Sequence, residues 1–274
     1  MPKLKIAVVQ FEIKQFAPEE NLAKAEKYIR KAADAGADII VFPEDFTVGP
    51  LFGRKEFVDF DGKYRQYFQQ LAREHNINIV TGSFAEGDKL GWYNTTYYIE
   101  SKGEIKGRYR KVNLWLPERR ELSYGNELCV FNTKFGKIGL IICWDLIFPE
   151  MFRRMVVRGV NIVICTSYWG MKDAPIGLKW SKDAEIKTVN SLCSSRAFEN
   201  EIVLVYCNAA GKYQYKGIDY PLMGQSQICV PFIGAIKRLD HNKEEMFVAE
   251  VDTAVLKDAE RAYRIRSDLK KRIL

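Results

Sequence analysis

The amino-acid sequence predicts one α/β domain, and three observations carry that expectation. Short runs rich in Ile and Val recur along the chain, the composition of strands buried on both faces. Segments with helical spacing of apolar residues precede these runs. One phrase, a helix end followed by a turn and an apolar run, occurs four times. It spans Ala35-Gly36-Ala37-Asp38 ahead of 39–42, His75-Asn76 ahead of 77–80, Arg158-Gly159 ahead of 162–164, and Asn200-Glu201 ahead of 202–205. Strands and helices alternate without a linker or low-complexity stretch, so residues 1–274 are expected to form a single domain. The copies are unevenly spaced, which argues against a solenoid.

The elements follow in order. A strand is expected at 5–10. Pro18 opens a helix whose buried face is Leu22, Ala25, Tyr28, Ile29 and Ala32. Gly36 stands where a helix C-cap needs a left-handed residue, and Gly159 repeats that arrangement. After the strand at 39–42, a second helix is expected at 64–75 and a strand at 77–80. Strands at 95–100 and 105–110 flank Ser101-Lys102-Gly103-Glu104 and read as a hairpin. A strand at 138–143, a helix at 149–158 and a strand at 162–164 come next. A helix at 180–198 leads to a strand at 202–205, and strands at 226–230 and 246–251 complete the series. Helices are expected on both outer sides of the sheet structure.

Composition narrows the function. The formal charge is +7, but basic residues are mixed with acidic ones, as in Lys243-Glu244-Glu245. A nucleic-acid binder gathers its charge on one stripe, so none is expected as a partner. The run Lys270-Lys271-Arg272 reads as a solvated tail. No apolar stretch is long enough to span a bilayer, and the first fourteen residues run into charges without a signal-peptide cleavage site. The six cysteines are scattered, with no CxxC pair, which points to free thiols in a reducing cytoplasm and to no zinc site. No glycine-rich nucleotide loop is present.

Ligands of open α/β folds bind beyond the carboxyl ends of strands. There the chain places Pro43-Glu44 after 39–42, Lys111 after 105–110, and Cys143 after 138–142. Cys165, Thr166, Ser167, Tyr168 and Trp169 follow 162–164. A carboxylate, an ammonium and a thiol thus each emerge from an apolar strand. Strand, cysteine, turn and helix is a geometry that exposes a side chain, and a nearby helix N-terminus and cation are expected to lower the thiol pKa. The plainer reading of Cys143 is a buried structural thiol. Only two histidines exist, His75 and His241, and both read as solvated, so a carboxylate is the better base. Glu44 is available; burial would raise its pKa and Lys111 would pull it down. Taken singly, Glu44 could be a capping acid and Lys111 one more basic residue in Arg108-Tyr109-Arg110-Lys111.

These residues resemble the nitrilase superfamily of carbon–nitrogen hydrolases over nearly the whole chain. The matching motifs are Ile40-Val41-Phe42-Pro43-Glu44, Gly107-Arg108-Tyr109-Arg110-Lys111, and Gly136 to Asp145 with Phe148-Pro149-Glu150. Asn94, Arg196 to Asn200, Asn208 and Gly224-Gln225-Ser226 support them. The resemblance implies a four-layer α-β-β-α sandwich and a catalytic triad of Glu44, Lys111 and Cys143. It implies a second carboxylate at Glu118, whose distance to Gly125 fits, or at Glu121. Asn113 stands where many members have His, which puts the local pocket lining in question. Lys111 and the backbone N–H of Trp144 would stabilise an oxyanion, and Tyr168, Trp169 and the Tyr- and Lys-rich loop 211–224 would line the pocket. The family implies no metal or organic cofactor, and homodimers or larger assemblies, with a C-terminal tail from about 253 used in assembly.

Trp144-Asp145 resembles the amidase and carbamoylase branches, so the expected substrate is a small linear amide or carbamoyl amide, with a nitrile as the alternative. Arg119 or Arg120 could hold a substrate carboxylate or be surface cations. A non-catalytic scaffold on the same fold and a redox sensor using Cys165 are the readings of other classes.

Overall fold

The first strand, β1 (Lys3–Gln10), sets out the layers by alternation. Its Leu4, Ile6 and Val8 share a core with Leu140, Ile142 and Ile164 of a second sheet. Its Ala7 and Val9 face the other way, into a core with Ala25 and Ile29 of α1 (Pro18–Asp34) and Phe68 and Leu71 of α2 (Lys63–His75). A period of two along one strand therefore serves two cores. The computed structural model describes residues 3–272, and among them fourteen strands and six α-helices, numbered in chain order.

The first sheet runs β14-β1-β2-β3-β4-β5. Here β1, β2 (Ile39–Val41) and β3 (Asn78–Asp88) are parallel, while β4 (Gly91–Ile99), β5 (Ile105–Arg110) and β14 (Glu245–Asp252) pair antiparallel. The second sheet runs β13-β12-β9-β8-β7-β6. Its parallel strands are β7 (Gly136–Ile142), β8 (Ile162–Ser167) and β9 (Val203–Asn208). They are flanked by antiparallel β6 (Cys129–Thr133), β12 (Gln227–Val230) and β13 (Gly234–Arg238). Each sheet thus carries the same βαβαβ unit. In the second, α3 (Pro149–Val157) and α4 (Ala184–Glu199) bury Phe152, Met155, Val189 and Cys193 on the outer face. The result is the four-layer α-β-β-α sandwich.

The fourfold turn phrase has one conformation. Gly36, Asn76, Gly159 and Glu201 all have positive φ, at 70°, 47°, 85° and 50°. The expectation for the two glycines holds, and Asn76 and Glu201 take the same left-handed conformation without a glycine.

Several expectations need correction. The loop 211–224 contains a hairpin, β10 (Lys212–Tyr215) and β11 (Ile218–Pro221). Strands β6 and β13 were not expected. The tail from 253 is helical, with α5 (Ala254–Tyr263) and α6 (Ile265–Arg272). The basic run 270–272 is the last turn of α6, and Lys270 and Lys271 are exposed on it. Arg266 anchors α6 by donating to the backbone carbonyls of Val160 (2.5 Å) and Glu201 (3.4 Å). No helix among the described residues is long and apolar enough to cross a membrane.

Candidate active site

Three strand ends converge where the two sheets face each other. Glu44 follows β2, and its backbone N–H donates to the Ser167 carbonyl at the end of β8 (3.2 Å). Lys111 follows β5; its N–H donates to the Asn94 carbonyl (2.9 Å) and its own carbonyl accepts the N–H of Gly125 (2.8 Å). Cys143 follows β7 with φ of +47°, a conformation that L-residues other than Asn and Asp seldom hold. Asp145 fastens the turn. It accepts from Ile142 N–H (3.0 Å), the Tyr109 hydroxyl (2.7 Å), and both the backbone N–H and Nδ2 of Asn113 (2.9 Å each). A strained backbone kept by so many bonds is characteristic of functional sites.

The ionisable groups form one cluster. Lys111, 1% exposed, donates through Nζ to Glu44 Oε1 and to Glu118 Oε2, each at 2.7 Å. Asn94 Nδ2 bridges the same two carboxylates at 2.9 and 3.1 Å. The Tyr168 N–H donates to the remaining Glu44 oxygen (2.8 Å), and Trp115 N–H donates to Glu118 Oε2 (2.6 Å). Burial works against the charge on Lys111, but Glu118 and Glu44 outweigh it and hold the ammonium well above its ordinary pKa. Burial pushes the Glu44 carboxyl up; Lys111 opposes this and Glu118 adds to it. As expected from the sequence, burial and Lys111 act on Glu44 in opposite directions.

The thiol departs from expectation. Burial, and then the negative charge of Glu44, push Cys143 well above the ordinary thiol range, against the pull of Lys111, Ser167 and the Tyr168 backbone. The anticipated lowering fails because the thiol is buried beside Glu44 and Lys111 is already engaged by two carboxylates. The residue is also 8% exposed rather than open to solvent, although it reaches a cavity. That cavity, about 340 Å³, is lined by Glu44, Lys111, Glu118 and Cys143 together. Trp144, Tyr168 and Trp169 line it as well. Trp144 packs against Trp115 (ring centroids 4.3 Å apart) and Trp169 (5.5 Å).

Of the two carboxylates left open by the sequence, Glu118 reaches Lys111 and Glu121 is neither its partner nor a wall of the cavity. Arg119 and Arg120 are exposed outside the cavity, and Arg119 donates to the Leu114 carbonyl (3.1 Å). Neither is placed to hold a substrate carboxylate. Asn113 braces Asp145 and does not line the cavity, so its departure from the family pattern bears on the turn and leaves the pocket lining untouched. His75, His241 and Cys165 also lie off the cavity. The Tyr-rich segment 211–224 reaches the lining through Tyr213 of β10, as expected, whereas Asp45, Asp173 and Glu185 were not anticipated; they come from the segment after Glu44, from the stretch after β8 and from α4. None ends a strand, the one signal used to find site residues. Among the described residues no group of three or more His, Cys, Asp or Glu is arranged to hold a metal ion.

With fold and site geometry in view, the likeness to known proteins is specific. The carbon–nitrogen hydrolase family pattern matches residues 5–261. The chain is 31% identical to a probable nitrilase of Schizosaccharomyces pombe, over 91% of this chain and 89% of that protein. It is 30% identical to the 2-oxoglutaramate amidase of Bacillus subtilis, over 98% of both. Among solved structures, Saccharomyces cerevisiae Nit3, a member of branch 10 of the nitrilase superfamily, superposes with a TM-score of 0.82 at 26% identity, over 95% of this chain and 94% of that one. The protein belongs to the carbon–nitrogen hydrolase family and is a hydrolase of that class.

Proposed function

We propose that this protein hydrolyses a small linear amide or carbamoyl amide through a thioester on Cys143. The observation that carries the proposal is the buried Glu44–Lys111–Glu118 cluster opening on the same cavity as the Cys143 thiol. A thiol whose pKa is raised does not ionise alone at neutral pH, so it needs an adjacent base. Glu44 takes its proton as sulfur attacks the carbonyl carbon. Lys111 and the Trp144 N–H face the oxygen on which charge develops. The tetrahedral intermediate collapses, and Glu44 returns the proton to the departing nitrogen, which leaves as ammonia or an amine. Water then attacks the thioester and loses its proton to Glu44. Release of the acid restores the thiol. Glu118 keeps Lys111 charged and positioned.

The relatives named as amidase and nitrilase support an activity on small amides or nitriles. Trp144-Asp145 favours the amide arm. Six free thiols suit a reducing cytoplasm, and α5 and α6 are the segment offered for assembly into homodimers or larger forms.

The test is ammonia release from a panel of linear amides, carbamoyl amides and nitriles, with intact-mass detection of the acyl-enzyme. Release from amides and a mass adduct that disappears in Cys143→Ala are expected. Turnover by Cys143→Ala sinks the assignment, preference for nitriles moves the substrate class, and an inert panel with an unreactive Cys143 favours a scaffold.

A further inference from the structure

We infer that the substrate is a linear amide or carbamoyl amide whose far end carries a primary ammonium group. This rests on the hydrolytic reading above and specifies its substrate. Beyond the Glu44–Lys111–Glu118 cluster, the cavity wall holds three more carboxyl groups, Asp45, Asp173 and Glu185, and no arginine or second lysine. Lys111 is already held by two carboxylates at 2.7 Å each, so no cation is left to meet a substrate carboxylate. An anionic tail would meet acid side chains, Asp45 and Asp173 with carboxyls pushed up by burial, and no cation to compensate its charge, which is costly in a buried site.

The two outlying acids are poised for a donor. Asp173 accepts the Gly170 N–H through Oδ2 (2.9 Å), and Glu185 accepts Trp169 Nε1 through Oε2 (2.8 Å). The other oxygen of each has no donor from the described protein. Burial, with Glu185 and Glu44 adding to it, pushes Asp173 up to about 7, so near neutral pH its carboxyl stands ready to give up a proton when a cation arrives. Aromatic surfaces complete the match. Trp115, Trp144 and Trp169 form a contiguous set, and Tyr168 lies against Tyr213 with centroids 5.6 Å apart. Such rings attract an ammonium over their faces and give an alkyl chain an apolar wall. A cavity of about 340 Å³ suits a short chain between the scissile carbon and the ammonium.

The experiment compares three substrates of equal length that differ at one end: 5-aminopentanamide, hexanamide, and the monoamide of glutaric acid. The expected order of kcat/KM is cationic, neutral, anionic, with the cationic amide ahead of the neutral one on the order of 10-fold. Glu185→Gln and Asp173→Asn should each cut the cationic-to-neutral ratio severalfold, chiefly through KM. Glu185→Lys should move preference towards the anionic amide. A merely structural role would slow all three alike and leave the ratio unmoved. The inference is overturned if the glutaric monoamide matches 5-aminopentanamide, or if neither carboxamide substitution shifts the ratio. Turnover of none of the three counts against the hydrolytic reading instead. Calorimetric binding of the same compounds to Cys143→Ala then still reads the charge preference, and equal affinities would reject it.

Discussion

At the scale of single residues, the site turns on one ammonium shared by two carboxylates. Glu44 can accept the thiol proton only when ionised, and burial has raised its pKa. Activity should therefore fall as pH falls, along an acid limb lying above the ordinary glutamate range near 4.3. Lys111 and Asn94 both donate to Glu44 Oε1, and such donors favour the ionised form. Removing one should move the limb further up. Asn94→Ala keeps the Lys111 pairs and is the cleaner variant. Its kcat/KM profile should lose activity at a higher pH than the unaltered enzyme, with a smaller loss on the alkaline side. An acid limb that stays where it was would remove Glu44 from the role of base. Glu44→Gln should cost on the order of 10²–10⁴ in kcat, because the amide cannot take the proton.

At the scale of elements, two strand ends were legible because Glu44 and Cys143 each put a residue of unlike chemistry at the close of an Ile-rich run, whereas Lys111 follows the mixed strand Ile105–Arg110 and was singled out by its motif. The helices before β2, β3, β8 and β9 were legible from their apolar spacing. The hairpin β10–β11 was not. Its turn, Lys216–Gly217, has φ of 51° and 76°, and Lys lacks the Asn or Asp signature that marks a type I′ turn. Strand β6 is a short, partly exposed edge strand that includes Asn132 and Thr133, so its pattern is weak. Asp173 and Glu185 lay beyond reach, since only the folded chain brings α4 and the stretch after β8 to the same cavity.

Two elements carry predictions of their own. The Cys143 turn depends on Asp145, whose removal in Asp145→Ala strands the buried donors of Ile142 and Tyr109 and the half-buried ones of Asn113. The expected loss is on the order of 3 kcal/mol or more, read as a lower urea midpoint with unchanged slope. An unshifted midpoint would mean that the turn holds itself. Gly125 backs the Lys111 segment, and a methyl there would sit 2.1 Å from the Arg110 carbonyl oxygen. Gly125→Ala should displace Lys111 by a fraction of an ångström to an ångström and lower kcat by about 10²-fold while leaving a folded protein. Circular dichroism and steady-state kinetics on the purified variant check both halves of that statement.

At the scale of the whole molecule, the two βαβαβ units meet with their strand ends together, and the site is the seam between them. The backbone of Glu44 bonds to Ser167 and the backbone of Tyr168 to Glu44, so the first sheet's acid is stitched to the second sheet. The C-terminal helices close the second unit at another place. Glu201, fully buried at the left-handed turn after α4, accepts the Ile265 N–H (3.3 Å), where α5 passes into α6. Glu260 of α5 accepts from the Arg266 N–H (3.1 Å) and from the Ser267 hydroxyl, and it faces Glu201. Burial, with the neighbouring Glu260 carboxyl adding to it, pushes Glu201 up to about 7, while Glu260 is held below its ordinary value; Arg266 feels the charge of both. The sign follows from linkage. Between about 4.5 and 7 the folded chain keeps on Glu201 a proton that the unfolded chain releases, so stability is lost as pH rises through that window and the loss is complete above it. The lowered pKa of Glu260 acts with the opposite sign and only at more acidic pH. Hydrogen exchange over 254–272, corrected for intrinsic rates, should therefore show less protection at pH 8 than at pH 6, relative to β8 in the same sample. Glu201→Gln keeps a donor towards Glu260 at every pH and should flatten the dependence. Protection that is equal at both pH values in the unaltered chain would show that the two carboxyls do not share a proton and that α5 and α6 are held by Arg266 and apolar packing alone.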